Sequence, residues 1–190
     1  MSAKSPVQHL SREEWLEKAL SVVSREGGAK LRINNLVAEV GVTKGSFYWH
    51  FKDREDFVLS LIDHWHERYT LRVSDYLDDC AGSAEAKLRT LMEMVFVEQL
   101  TRHDLAIRSW AVAEPKLQAL VKRTDDHRMN YLQMLFRGMG FTGEEAALRS
   151  RVFLGYAAWE AGLFETMTKS QREQKAIAFF ELLVGGSEAG

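Results

Sequence analysis

Between Glu39 and Asp53 the chain carries no carboxylate, and that gap holds Thr43, Lys44, Ser46, Tyr48, Trp49 and His50, with Lys52 and Arg54 close behind. This set is rich in hydrogen-bond donors. Phosphates attract cations, hydroxyls and backbone N–H groups, so an acid-free segment of this kind suits a polyanion. Covalent chemistry finds less support. No phosphate-cradling glycine loop, nucleophile motif or metal-ligand cluster occurs, so neither an enzyme nor a cofactor is expected. His64 and His66 in HWHERYT are two residues apart and point to different faces of a helix. HERYT also lacks the second histidine of a zinc-protease motif, so no metal is expected. Cys80 is the only cysteine, which rules out an intrachain disulfide and suits a reducing compartment.

The donors need elements to hold them. Ile33, Leu36, Val37 and Val40 fall at i, i+3, i+4 and i+7, one apolar stripe on a short helix. Gly41 stops it, and Thr43 is placed to cap the next helix, about Lys44 to His50. That second helix is too short to survive alone and needs Phe47 and Phe51, at i and i+4, as anchors. Two short helices joined by a turn containing glycine make a helix-turn-helix, whose second helix enters a major groove. Spacing alone leaves another reading open, in which this is a solvated corner of an all-α core. Ahead of the pair, Ser11 and Glu14 form an S-x-x-E capping box. Trp15, Ala19, Val22 and Val23 line the helix that follows, to Gly27-Gly28, completing a three-helix unit.

The segment GVTKGSFYWHFKDREDF resembles the DNA-binding signature of the tetracycline-repressor (TetR) family: Gly41, Val42, Thr43, Lys44, Gly45, Tyr48, His50, Phe51 and Arg54 match its pattern. The resemblance implies that Thr43, Lys44, Ser46, Tyr48 and His50 sit on or beside DNA and that Arg54 meets a phosphate. Phe47 departs from the pattern, where leucine is more usual. Arg32 departs too, standing where a threonine usually touches a phosphate. An arginine there either reaches the backbone farther out or is solvated. The expected DNA-binding set is Arg32, Thr43, Lys44, Gly45, Ser46, Tyr48, Trp49, His50, Lys52 and Arg54.

Composition is that of a globular chain of 190 residues, 46% hydrophobic and 27% charged. The net charge is only −2, but through Lys52 there are eight Lys+Arg against five Asp+Glu, leaving +3 there and −5 beyond. A basic part on an acidic body is consistent with local phosphate contact. No run of about eighteen apolar residues predicts a membrane span, and the first residues hold no apolar signal core. A cytoplasmic protein is expected, with domains at residues 1–52 (the reader) and 53–190 (the body).

Beyond Asp53 the pattern is helical throughout: about 54–77, 84–100, a short helix before Pro115, 116–138, 143–168 and 171–184, giving an all-α fold of about nine helices. His103-Asp104 reads as a turn, and Thr142 with Glu145 as a second capping box. The first long helix begins beside the reader and ends in the body, the geometry of a lever. Trp65, Tyr69, Met92, Phe96, Trp110, Tyr131, Met134 and Trp159 could line a lipophilic pocket, although such residues at helical spacing also build plain core. Gly155, Ala158 and Gly162 give one helix a small-residue face, and the last helix adds Ile177, Phe180 and Val184. One chain can hardly cover both helices, so a homodimer through a four-helix interface is expected. The TetR resemblance implies the same dimer. The function expected is regulation of transcription at an inverted-repeat site on double-stranded DNA, repressing until a small-molecule effector binds. A DNA-occupying protein without an effector, or an activator, would share the same parts.

Overall fold

The structure, a computed structural model, describes residues 10–28, 31–160 and 167–185. The described residues are helical, with no strand among them. In order they form α1 (Arg12–Glu26), α2 (Ile33–Val40), α3 (Lys44–His50), α4 (Arg54–His66), α5 (Arg72–Asp79), α6 (Ala84–Met92), α7 (Asp104–Ala113), α8 (Gln118–Gly138), α9 (Gly143–Glu160) and α10 (Lys169–Val184). A π-helical turn, Glu67–Leu71, carries α4 into α5 without a break, so the described helical runs number nine, as expected. A second π turn, Glu93–Val97, extends α6, and a 3₁₀ turn, Pro115–Leu117, precedes α8. No described helix is long and apolar enough to cross a membrane.

The chain divides into two compact units. One comprises Met1–His66 with Ala106–Val121, the other Glu67–Leu105 with Lys122–Gly190. Compactness thus draws a different line from the division expected at residue 52, because α4 and much of α7 pack within the first unit.

In the first unit α1 buries Trp15, Leu16, Ala19, Leu20, Val22 and Val23. His64 donates to Glu17 Oε1 at 2.7 Å, tying α4 to α1, and Lys116 pairs with Glu55. Among the described residues no group of three His, Cys, Asp or Glu is placed to hold a metal ion. Trp110, expected in a pocket, is 3% exposed and lays its indole against Gly28. A Cβ at position 28 would lie 1.9 Å from Trp110 Cδ2. Gly28→Ala should therefore push the indole off its seat and destabilise the unit by about 1–3 kcal/mol. Thermal unfolding measures this, and an unchanged melting curve would show that the ring is not held there.

The second unit encloses a core of Leu77, Leu88, Met92, Leu132, Phe136, Phe153, Phe179 and Leu183, among others. Phe96, Phe153, Tyr156 and Phe179 stack edge-on or tilted, with centroids between 4.2 and 6.3 Å apart. The expected turn at His103-Asp104 is present, running through residues 101–103 into α7, and both side chains are buried, at 3% and 2% exposure. Asp104 is paired there with Arg128, whose Nε also donates to Thr70 Oγ1 at 2.9 Å on the first π turn.

Local capping follows the expected chemistry. Ser11 and Glu14 form the reciprocal box at α1, and Thr142 and Glu145 do the same at α9. A third box, Thr168 with Gln171, opens α10. It corrects the expected helix end near Thr168: that residue is extended (φ −67°, ψ 161°, against −65° and 163° at Ser11) and caps the next helix. Hydrogen bonds from the cap backbone lower both Glu14 and Glu145 below their ordinary 4.5. A carboxylate lowered in the folded state adds stability that is complete above its ordinary value and lost as pH falls through the lowered one. Acid titration of the urea midpoint should fall in that window, and the fall should be shallower in a Glu14→Gln, Glu145→Gln double variant.

Candidate nucleic-acid interface

Gly41 ends α2 in the left-handed region, φ 75° and ψ 29°, a conformation that costs glycine little. The chain then turns at once, and Thr43 Oγ1 accepts from Ser46 N at 3.2 Å to cap α3. Phe47, fully buried, anchors this seven-residue helix. Its ring lies 5.8 Å from Trp15, 5.3 Å from Phe51 and 5.2 Å from Phe57. Trp15 Nε1 donates to Ser46 Oγ at 3.2 Å, so α1 holds α3 by a polar bond as well as by packing. That bond was not visible in the sequence, since nothing local links positions 15 and 46.

The outer side of α3 faces solvent. Lys44, Gly45, Tyr48 and Trp49 are exposed, Trp49 at 84%, and Thr43, Lys52, Arg54 and Arg32 are exposed beside them. Ser46 is half-buried. His50 is placed differently from the rest. Its Nε2 donates to the Leu10 carbonyl at 2.8 Å, so it fastens the segment before α1 against the end of α3. Arg32 sits at the N-cap of α2 without a side-chain capping bond. Asp53 accepts from Asp56 N, and Asp56 accepts from Lys52 N, both at 2.9 Å. The two acids nearest the donor surface are thereby turned to the start of α4. The arrangement is a cationic, hydroxyl-bearing and aromatic face on a helix stiffened from behind, which fits a groove lined by phosphates.

The residues expected around a ligand scatter. Trp65 and Trp110 are buried in the first unit. Tyr69, Met92 and Phe96 are buried in the second, where Met134 and Trp159 are exposed at 48% and 69%. Tyr131 is half-buried and donates to Asp78 Oδ1 at 2.8 Å; burial first, then that bond, raises its hydroxyl above the usual range. Met92 lines a groove of about 380 Å³ with Arg89, Val97, Ala176, Ile177 and Phe180.

The residues expected between subunits also divide. Ile177 is 55% exposed, and Gly155 is exposed with open space around it. Ala158 and Val184 are half-buried. Phe180 is 2% exposed, under the Arg89 guanidinium at 3.7 Å, so its surface is used within the chain. Gly162 lies outside the described residues. Leu148 and Leu182, which the sequence reading passed over, are exposed at 62% and 71%. Leu148, Val152, Gly155 and Trp159 fall at steps of four, three and four, one apolar stripe along α9.

Residues 16–61 match the family model described as bacterial regulatory proteins, tetR family. A 46-residue stretch is 37% identical to the HTH-type transcriptional regulator AcrR of Shigella flexneri, covering 24% of this chain and 21% of that protein. Another of 59 residues is 30% identical to TtgR of Pseudomonas putida, covering 31% and 28%. The chain thus spans between a fifth and a third of the length of these relatives. The fatty acid metabolism regulator protein of Bacillus subtilis matches over 120 residues at 22% identity, covering 63% of this chain and 61% of that one. In overall fold the chain is similar to a transcriptional regulator of Aquifex aeolicus (TM-score 0.68, 15% identity, 89% and 96% covered). It is similar also to the fatty acid degradation regulator FadR of Bacillus halodurans (TM-score 0.66, 17% identity, each chain wholly covered).

Proposed function

Because this chain belongs, through residues 16–61, to the tetR family of bacterial regulatory proteins, we propose that it is a repressor that grips an inverted-repeat operator as a homodimer. The observation that carries the reading is the outer face of α3, exposed, free of carboxylates and backed by the Trp15–Phe47–Phe51–Phe57 cluster. In this proposal Lys44, Ser46, Tyr48 and Trp49 approach base edges. Arg32, Lys52 and Arg54 meet phosphates, while Thr43 and His50 act chiefly by holding α3 in place. Repression is steric, through occupation of promoter DNA.

The exposed stripe on α9, with Ile177 and Leu182 on α10, supports pairing of two copies. Apolar side chains so displayed along two adjacent helices gain by mutual burial. Two-fold pairing sets two copies of α3 about one helical turn of DNA apart, roughly 34 Å or somewhat more. A small lipophilic effector bound in the helical body would release the operator, provided it prefers the conformation that fits DNA less well. The functional division we propose is a reader at residues 1–52 and an effector-binding and pairing body at 53–190.

Selection of bound genomic fragments, followed by sequencing, tests the reading: an inverted repeat should emerge. Sedimentation should give twice the chain mass. Lys44→Ala should weaken operator binding without lowering the melting temperature, and flatten the salt dependence by about one unit of slope per half-site. Enrichment of no repeat, by a protein that sediments as one chain, would refute the proposal.

A further inference from the structure

We infer that Trp49 reads the C5-methyl group of a thymine in the major groove, so that each half of the operator carries a thymine at one fixed position. This rests on the DNA-reading role proposed for α3. Successive residues on a helix turn by about 100°. Measured from the buried Phe47, Gly45 and Trp49 fall at about 160° and 200°, so they straddle the line opposite the anchor. Lys44 and Tyr48, at about 60° and 100°, lie on one flank.

The outermost line of α3 is thus a glycine followed one turn later by an indole. A Cβ at Gly45 would meet only Thr43 Oγ1, at 3.5 Å, so nothing on that turn holds a groove edge away. Trp49 is 84% exposed, more than any other large hydrophobic side chain among the described residues. The surrounding charge selects the occupant. Residues 40–52 contain no carboxylate, and Lys44, Lys52 and Arg54 are exposed, which favours a polyanion over an acidic or apolar protein face.

A wide apolar plane brought into a major groove meets nitrogen and oxygen edges that would lose their water without gaining a partner. The thymine methyl is the one apolar group on those edges. Burial of that methyl against the indole is favourable, and the same indole over a guanine or cytosine edge is not. Trp49 therefore adds selectivity for thymine where the cations around it add affinity for any sequence.

The test uses the full chain and the selected operator, replacing each thymine in turn by uracil, which removes only the methyl. At one position per half, the parent should bind about four-fold more weakly, the worth of one buried methyl-sized group. Changing both halves should cost about fifteen-fold. Trp49→Ala, a change at an exposed position, should melt like the parent, keep its salt dependence, and bind thymine and uracil operators equally. If the parent tolerates every replacement, or if Trp49→Ala keeps the same sensitivity, the inference falls while the reading of α3 stands. If the parent binds no duplex even at low salt, that reading falls and takes the inference with it.

Discussion

Truncating Phe47 to alanine should cost about 3–5 kcal/mol, the range for removing a fully buried aromatic ring. The ring touches Trp15, Phe51 and Phe57 within 5.8 Å and has no exposed surface. The loss has a functional edge because α3 has seven residues. A helix that short draws its stability from packing and not from its own hydrogen bonds. Without the anchor, Thr43 has no settled helix to cap, and Ser46 loses its position under the Trp15 indole. Operator binding should therefore disappear together with protection of α3 amides from hydrogen exchange. Tyr48→Ala is the control: its ring is 57% exposed, so it should lower DNA binding and leave exchange unchanged. Equal exchange in the parent and in Phe47→Ala would contradict the account of how α3 is held.

Asp104→Ala should destabilise the second unit by a similar amount, about 3–5 kcal/mol, because it breaks a buried ion pair with Arg128. The two side chains are 4% and 12% exposed. Arg128 also donates to the Tyr69 carbonyl at 3.3 Å and to Thr70 Oγ1, so it clasps the π turn that joins α4 to α5. A π turn is a local departure from the α-helical ladder, and side-chain donors can fix the widened turn in one register. Removing both charges, as Asp104→Ala with Arg128→Met, should cost less than the sum of the two single changes, since the second change then breaks a pair already broken. Urea unfolding of the four proteins completes the cycle. Strict additivity would mean that the pair does not act as a unit.

These two residues differ in how far the sequence announces them. Phe47 is legible: it stands four residues before Phe51, in a helix bounded by Gly41 and Thr43. Asp104 is not. Beside His103 it reads only as part of a turn, and a cation arriving from α8, twenty-four residues on, explains its burial. The two π turns are hidden for a related reason: one extra residue in a turn does not disturb an apolar pattern enough to be counted. Thr168 was missed although its T-x-x-Q signal is local, because the apolar run before it reads as one continuous helix.

The body shows the same division. Helix α10 is apolar on more than one side, so periodicity supplied two faces and could not rank them. Packing against the second π turn and α6 took Phe179, Phe180 and Leu183, and left Ile177 and Leu182 outside. Trp65, Trp110 and Trp159 look alike as sequence, yet the first two are core and the third lies in solvent.

By itself the amino-acid sequence determined the all-α class, the short helix pair, its caps and anchors, and the acid-free donor face, because each depends on residues within about one helical turn of each other. Tertiary structure alone decided that His50 fastens Leu10, that Trp110 sits on Gly28, that Asp104 goes inside, and which apolar stripe stays uncovered. Those outcomes depend on which distant helix arrives first at a given face, and burial is a property of the pair that meets, not of either residue alone.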